Sequence, residues 1–202
     1  MSLKYALLGF LSTEPAAGFD LAREFGEGLG WFWYASHSQI YPELRRLEED
    51  GLVASTVSSG NPGKQKRTYR LTERGEAELR SWLEQPTEYA PMRDVERVKL
   101  VFLDGAPVEV IRRHLEDHRK HHEDLLAVYT QQLRELHQGV FPRLVKRLAS
   151  RPATAHPMIK GLKVLAMQGN IARARTEIHW AEDALSWLDG MERGGMEQEG
   201  GA

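Results

Sequence analysis

No cysteine occurs among the 202 residues. That excludes a disulfide framework, a thiol nucleophile and thiolate metal sites, and suits a reducing, cytoplasmic compartment. No apolar run approaches the roughly 18 residues of a membrane-spanning helix, so no membrane partner is expected. The start, MSLKYALLGFL, has one lysine and no small-residue cleavage site, so it does not read as a signal peptide. Strong net charge is also missing. The formal value is −2, whereas a protein that coats nucleic acid unselectively would be strongly basic. A reader whose cations are local is still allowed. H-E-x-x-H, G-x-S-x-G, a phosphate-binding glycine loop and a dinucleotide fingerprint are all absent. No enzymatic activity and no cofactor are expected.

What is present is enough to fold. Hydrophobic residues make up 41% of the chain and charged residues 28%, which fits a soluble protein of one or two domains. The informative stretch spans residues 36–71, SHSQIYPELRRLEEDGLVASTVSSGNPGKQKRTYRL. Ile40, Leu44 and Leu47 fall on one helical face. Ser36 and Gln39 form an S-x-x-Q capping box at its start, and Gly51 supplies a left-handed end. Leu52, Val53, Thr56 and Val57 favour a strand, as do Thr68, Tyr69 and Leu71. Between them, SSGNPGKQK is turn chemistry followed by cations. A short helix joined to a basic-tipped hairpin is the layout of a winged helix-turn-helix, whose helix enters the DNA major groove.

The outward side of this helix carries Ser38, Pro42, Arg45 and Glu49, with Tyr41 and Arg46 flanking. Serine, tyrosine and arginine contact phosphates or base edges. Pro42 inside the helix removes a backbone hydrogen bond and predicts a kink. The candidate DNA contacts are Ser36, Ser38, Gln39, Tyr41 and Arg45 on the helix, and Lys64, Lys66 and Arg67 on the wing. Residues 36–71 hold six cations and four anions, and all four anions lie in the helix. Such a small positive tip suits a reader that needs two copies for affinity.

These residues carry a resemblance. YPELRRLEEDGLV, then KQKRTYRLTERGEAEL, resembles the signature of the PadR family of bacterial transcriptional regulators. GFDLAREF resembles that family's second helix, and the similarity runs on past Asp94, covering the chain from about Leu3 to Leu188. The tyrosine-proline pair followed by L-x-x-L and Gly-Leu is specific; the long helices are less so. The resemblance implies a homodimeric winged-helix repressor, often released from DNA by a small aromatic or drug-like effector.

Elsewhere, Leu3, Leu7, Phe10 and Leu11 predict a first helix, broken at Glu14-Pro15. Phe19, Ala22, Phe25 and Leu29 mark a second. Trp31 and Trp33 are read as capping the winged-helix core; the alternative is that, with Trp82, they wall an effector pocket between domains. Thr72 is the expected N-cap of a fourth helix, with Glu73 and Glu76 in its first turn and Ala77, Leu79, Trp82 and Leu83 as its apolar side. Two prolines stiffen the segment 86–91, read as the linker.

Beyond it, Asp94 to Leu103 predicts a short helix. Ile111, Leu115, His118, His122, Leu125, Tyr129, Leu133 and Leu136 form the stripe of a helix about 30 residues long. A shorter helix covers Phe141 to Leu148, followed by a break from Pro152 to Pro157. The last helix carries a heptad seam of Val164, Met167, Ile171, Ala174, Ile178, Ala181, Leu185 and Leu188. An unbroken seam wants a partner, and symmetric dimers are the commonest oligomers. The seam is therefore the expected dimer interface; the alternative is an intramolecular pairing of the two long helices. Gly190 is expected to end the helix before a Gly- and Glu-rich tail.

His114, His118, His121 and His122 crowd one helix. His114/His118 and His118/His122 have chelating i, i+4 spacing. A full ligand set needs another segment, so the expectation is no metal: two solvated histidines and two seam histidines satisfied at an interface.

The expected fold is mainly α. A winged helix-turn-helix domain with a two-stranded wing spans residues 1–85. An all-α, antiparallel helical dimerisation domain spans 92–190, and a disordered tail 191–202. The expected function is homodimeric, sequence-specific binding of double-stranded operator DNA, with a small-molecule effector implied by resemblance. Two rival readings are a winged-helix protein-interaction module without DNA binding, and a histidine-metal sensor or enzyme.

Overall fold

The computed structural model describes residues 3–27, 35–59, 65–89, 91 and 93–199. The chain divides into two compact units, Met1–Tyr89 and Ala90–Ala202. The first contains α1 (Leu3–Leu11), β1 (Ala16–Ala17), α2 (Gly18–Glu27), α3 (His37–Glu49), β2 (Val53–Ser59), β3 (Gln65–Leu71) and α4 (Glu73–Glu84). The strands form an antiparallel sheet in the order β1-β3-β2. Thr56 faces Thr68 and Val57 faces Arg67 across the hairpin. The β1 strand was not expected. Its two alanines add to the outer edge of β3 opposite Thr68 and Tyr69, too short a run to show alternation.

The core of this unit gathers Leu7, Leu8 and Phe10 of α1, Leu21, Ala22 and Phe25 of α2, and Ile40, Leu44 and Leu47 of α3, closed by Val53 and Tyr69 of the hairpin. Phe10 and Phe25 stack at 4.7 Å. Phe19, expected inside, is 59% exposed, and Leu21 takes the inward position instead. Gly18 opens α2, so Phe19 is on the first turn, where it faces out. Leu29, Trp31 and Trp33 lie outside the described residues.

Local chemistry sets the helix ends. The Ser36 backbone N–H donates to Gln39 Oε1 at 3.0 Å, one arm of the capping box. At the other end, Leu52 N–H reaches Leu47 O and Gly51 N–H reaches Glu48 O. Gly51 has φ +70°, and together these make a Schellman motif. Pro42 sits inside α3 without breaking it: the helix is continuous from His37 to Glu49. The proline ring faces solvent, so its steric cost is borne on the outer side.

Thr72 caps α4 by accepting from Gly75 N–H at 3.0 Å, and its hydroxyl donates to Gly51 O at 2.8 Å. A Cβ on Gly75 would stand 2.1 Å from the Leu52 carbonyl oxygen, so this turn packs on the α3–β2 junction only as glycine. Leu79 packs against the core, and half-buried Trp82 stacks on Tyr5 at 4.6 Å. Ala77 and Leu83, expected on the same side, are exposed.

The second unit contains α5 (Val95–Val101), α6 (Val108–Gln138), α7 (Pro142–Ala149), a 3-10 turn (Ala153–Ala155) and α8 (His156–Glu199). Asp94 caps α5 by accepting from Arg97 N–H at 2.9 Å. Helices α6 and α8 run antiparallel. Leu115 near the start of α6 meets Leu185 and Leu188 near the end of α8. Tyr129 and Leu136 meet Met167, Ile171 and Ala174, with Leu144 of α7 filling the gap.

This pairing is the intramolecular alternative to a seam dimer. Met167, Ile171, Ala174, Ala181, Leu185 and Leu188 are all buried within the single chain, and Val164 packs partly buried at the same cluster. Within one chain this seam is covered by α6 and α7. Its 3-4 spacing fits the stripe of α6 equally well, because both helices present the same heptad geometry.

Helix α8 is also longer than expected at both ends. Pro157 lies in its first turn, where a proline is tolerated. Gly190 does not end it. Arg112 of α6 donates to Asp189 and to Glu192, each at 2.6 Å, which holds the turns around Gly190 against α6. The helix continues to Glu199 in place of the disordered tail expected from 191. An interior glycine costs a helix only about 1 kcal/mol.

Candidate nucleic-acid interface

The side of α3 opposite its buried stripe is open. Ser38, Gln39, Tyr41, Pro42, Arg45 and Arg46 are exposed, and Ser36 is half-buried. Arg45 makes no ion pair with the described residues, so its planar fork of donors is available to a base or phosphate. Tyr41 is less free. A Cβ on Gly18 would stand 2.7 Å from its ring, so one edge of the ring lies over the start of α2. Ser38 Oγ shares a 2.8 Å hydrogen bond with Ser36 Oγ. Gln39 gives its amide oxygen to the helix cap, which leaves its NH2 group for outside contacts.

The wing cations differ from one another. Lys64 lies outside the described residues. Lys66 is 62% exposed at its side chain, with only a loose 3.4 Å contact to Asp20. Arg67 is engaged within the chain. Its Nε donates to Ser55 Oγ at 2.8 Å, and its Nη2 to Glu48 Oε2. Glu48 Oε1 in turn accepts from the Ser55 backbone N–H at 3.2 Å and from its hydroxyl at 2.6 Å. One carboxylate on the last turn of α3 thus fastens both strands of the wing. Sequence reading missed this role because Glu48 and Arg67 are 19 residues apart and only the hairpin register brings them together.

Burial holds the Tyr69 phenol above its ordinary pKa, so it stays neutral beside Arg67, whose guanidinium carbon is 5.6 Å from its ring centroid. Glu78 on α4 is held below its ordinary value by hydrogen bonds from Lys4 at 2.6 Å and from the Tyr5 hydroxyl at 3.0 Å. That network ties α1 to α4 behind the reading helix.

Of the effector candidates, only Trp82 falls among the described residues, half-buried with one ring face covered by Tyr5. The histidine cluster is sorted by the α6 surface. His121 is exposed, while His118 and His122 turn inward with ring centroids 4.5 Å apart. His122 is held below its ordinary pKa by burial first, then by His118 and His121. Glu177 of α8 joins them, and nothing in its local sequence marks it for that place.

A helix with a fully buried apolar face, an outer face of serine, tyrosine and arginine, and a sheet-edge wing carrying cations defines a winged helix-turn-helix DNA-binding domain. Comparison with known proteins agrees. The Transcriptional regulator PadR-like family matches residues 7–81, and the Virulence activator alpha C-term family matches residues 92–189. The negative transcriptional regulator PadR of Bacillus subtilis is 31% identical over 193 residues, which cover 93% of this chain and 97% of that one. Among solved structures, Bacillus subtilis PadR in complex with operator DNA is similar with a TM-score of 0.72 at 27% identity, over 92% of this chain and 97% of that one. The same protein in complex with p-coumaric acid gives a TM-score of 0.60 at 28% identity, over 93% and 98%. The chain belongs to the PadR family. It is a DNA-binding transcriptional regulator and not an enzyme, which decides against a winged-helix module that does not bind DNA. Among the described residues, no helix is long and apolar enough to cross a membrane.

Proposed function

We propose that the protein is a cytoplasmic repressor that binds an inverted-repeat operator as a homodimer through the outer face of α3. The observation that carries this reading is the division of α3. Ile40, Leu44 and Leu47 have at most 1% exposure, while Ser38, Tyr41 and Arg45 stand on the solvent side. The inner face fixes the helix, and the outer face is left to meet DNA. Arg45 reads a base edge, Ser38 and the Tyr41 phenol contact the backbone or a neighbouring base, and Ser36 and Gln39 lie at the helix end nearest the groove. Lys64 and Lys66 contact phosphates from the wing. Repression follows the negative regulator to which the chain is 31% identical.

The dimer uses another surface than the α8 seam. Met158, Leu162 and Leu165 stand at i, i+4 and i+7 on the outer side of α8, each about 60% exposed or more. An apolar stripe of that kind is a self-association surface. Release of DNA by a small aromatic acid follows the p-coumaric acid complex of the Bacillus subtilis relative, and Trp82 is the described member of the aromatic set proposed for it, with Trp31 and Trp33.

The test is direct binding to an operator obtained by selection from random DNA. Replacing Arg45 with Ala should weaken binding by about 1–3 kcal/mol per half-site and relax preference at one base position in each half-site, with the helical circular dichroism unchanged. Equal affinity and equal preference would remove Arg45 from the interface.

A further inference from the structure

Three ligand-type side chains meet between the two long helices. His118 and His122 stand one turn apart on α6, and Glu177 reaches them from α8. One donor atom from each lies within 4.8 Å of the other two. His118 Nε2 is 3.2 Å from Glu177 Oε2. His122 Nδ1 is buried and has no hydrogen-bond partner. Buried polar atoms are nearly always satisfied, so an orphan nitrogen on one of these three side chains asks for a reason. We propose that His118, His122 and Glu177 form a binding site for a divalent transition-metal ion of the zinc class, which would join α6 to α8.

The chemistry suits that class. Two imidazole nitrogens and one carboxylate oxygen match zinc, cobalt and nickel, while a chain without cysteine offers no thiolate to a softer ion. The i, i+4 spacing puts both imidazoles on one helical face. Donors 2.0–2.1 Å from a tetrahedral ion lie about 3.4 Å apart. Closing the present triangle therefore takes a shift of roughly an ångström or more, within reach of imidazole rotation about the broad χ2 torsion. Three protein ligands leave a fourth position for water.

The surroundings fit an outer shell. Arg97 donates to Glu177 Oε2 at 2.8 Å, and also to Asp94 at 2.6 Å. Its charge is thus balanced by Asp94 while it orients the Glu177 carboxylate, a common arrangement around ligating groups. Trp180 covers this network, its ring centroid 4.4 Å from the Arg97 guanidinium carbon and 5.2 Å from the His118 ring. A surface depression lined by Lys99, Leu100, His114 and Trp180 reaches His118.

The experiment uses the untagged full chain, stripped with chelator and titrated with Co2+ and then Zn2+. One Co2+ per chain should bind, with the visible bands of nitrogen- and oxygen-ligated cobalt, and Zn2+ should displace it. Zn2+ should raise the unfolding temperature. His122→Gln and Glu177→Gln should each weaken binding by roughly 10- to 100-fold or more. His121→Gln, which changes the exposed ring next door, should leave it unaltered. Trp180→Phe serves as a reading independent of ligand loss: it should keep cobalt binding and lose most of the quenching of tryptophan emission that cobalt causes. Absence of stoichiometric cobalt or zinc binding at micromolar concentrations would overturn the proposal. So would binding that survives both ligand substitutions, or quenching that is undiminished in Trp180→Phe.

Discussion

Lys66 and Arg67 are neighbours on the wing, yet their charges are not equally available to DNA. Lys66 is largely exposed and loosely paired, whereas Arg67 is held by Glu48 and Ser55. A phosphate contact from Arg67 would exchange one anionic partner for another. A contact from Lys66 would neutralise a phosphate and release counterions. Each released contact contributes about 0.9 to the slope of log affinity against log salt. A dimer loses two such contacts on an inverted repeat, so Lys66→Ala should flatten the slope by about 1.8, a change worth about 12-fold in affinity across a fourfold range of salt. Arg67→Ala should leave the slope nearly unchanged. Glu48→Gln should act in the opposite direction. It frees Arg67 in both subunits and steepens the slope by up to about 1.8. The stability cost should be small, about 0.2–1 kcal/mol, because Arg67 is 47% exposed and solvent screens the pair. The assay is fluorescence anisotropy of a labelled operator, titrated at several salt concentrations. An Arg67→Ala slope as flat as that of Lys66→Ala would refute the argument, since it would mean that Glu48 does not retain Arg67 in the complex.

The α8 surfaces make separable predictions. Leu165→Glu, on the exposed stripe, should give a folded monomer by sedimentation, whereas Ile171→Ala, on the buried seam, should cost about 2–5 kcal/mol and lower the unfolding temperature; a folded monomer from a seam substitution would return the dimer to the seam. The acid side of the stability profile should carry a mark of Glu78. Its carboxyl is depressed below 4.5 in the folded state by its bonds to Lys4 and Tyr5, so the stability it gives is present above the unfolded value and is lost as pH falls through the lower folded value. Glu78→Gln should flatten thermal stability against pH across that acid window, and an unchanged profile would show that the network adds nothing to folding.

Much of the winged-helix unit is legible because its signals are local. Ile40, Leu44 and Leu47 face one way by periodicity alone, Gly51 marks a left-handed end, and Thr72 with Glu73 and Glu76 in the turn after it places a cap. The second unit is harder, for a physical reason. A heptad stripe says that a face is buried, not what buries it. The seam from Val164 to Leu188 matches the stripe on α6 as well as it would match a copy of itself, and only the packed structure decides. Phe19 and Leu21 show the same limit at smaller scale, since both belong to an amphipathic helix and the turn at Gly18 sets which one points inward. The glycines after Leu188 suggest an end, yet Arg112 arrives from α6, about 77 residues away in sequence, and holds the helix together. Glu48 with Arg67, and Glu177 with His118, are long-range pairs of the same kind that no local pattern reveals.

The central claim is that two copies of α3 read DNA at a fixed separation. Selection of bound DNA from a random pool by the intact protein tests it most directly. The account predicts enrichment of an inverted repeat whose half-site centres lie about 34–36 Å apart, or a multiple of that distance, with the preference at one position per half-site lost in Arg45→Ala. Enrichment of a single unrepeated site, or an Arg45→Ala protein that selects the same sequence as wild type, would contradict it.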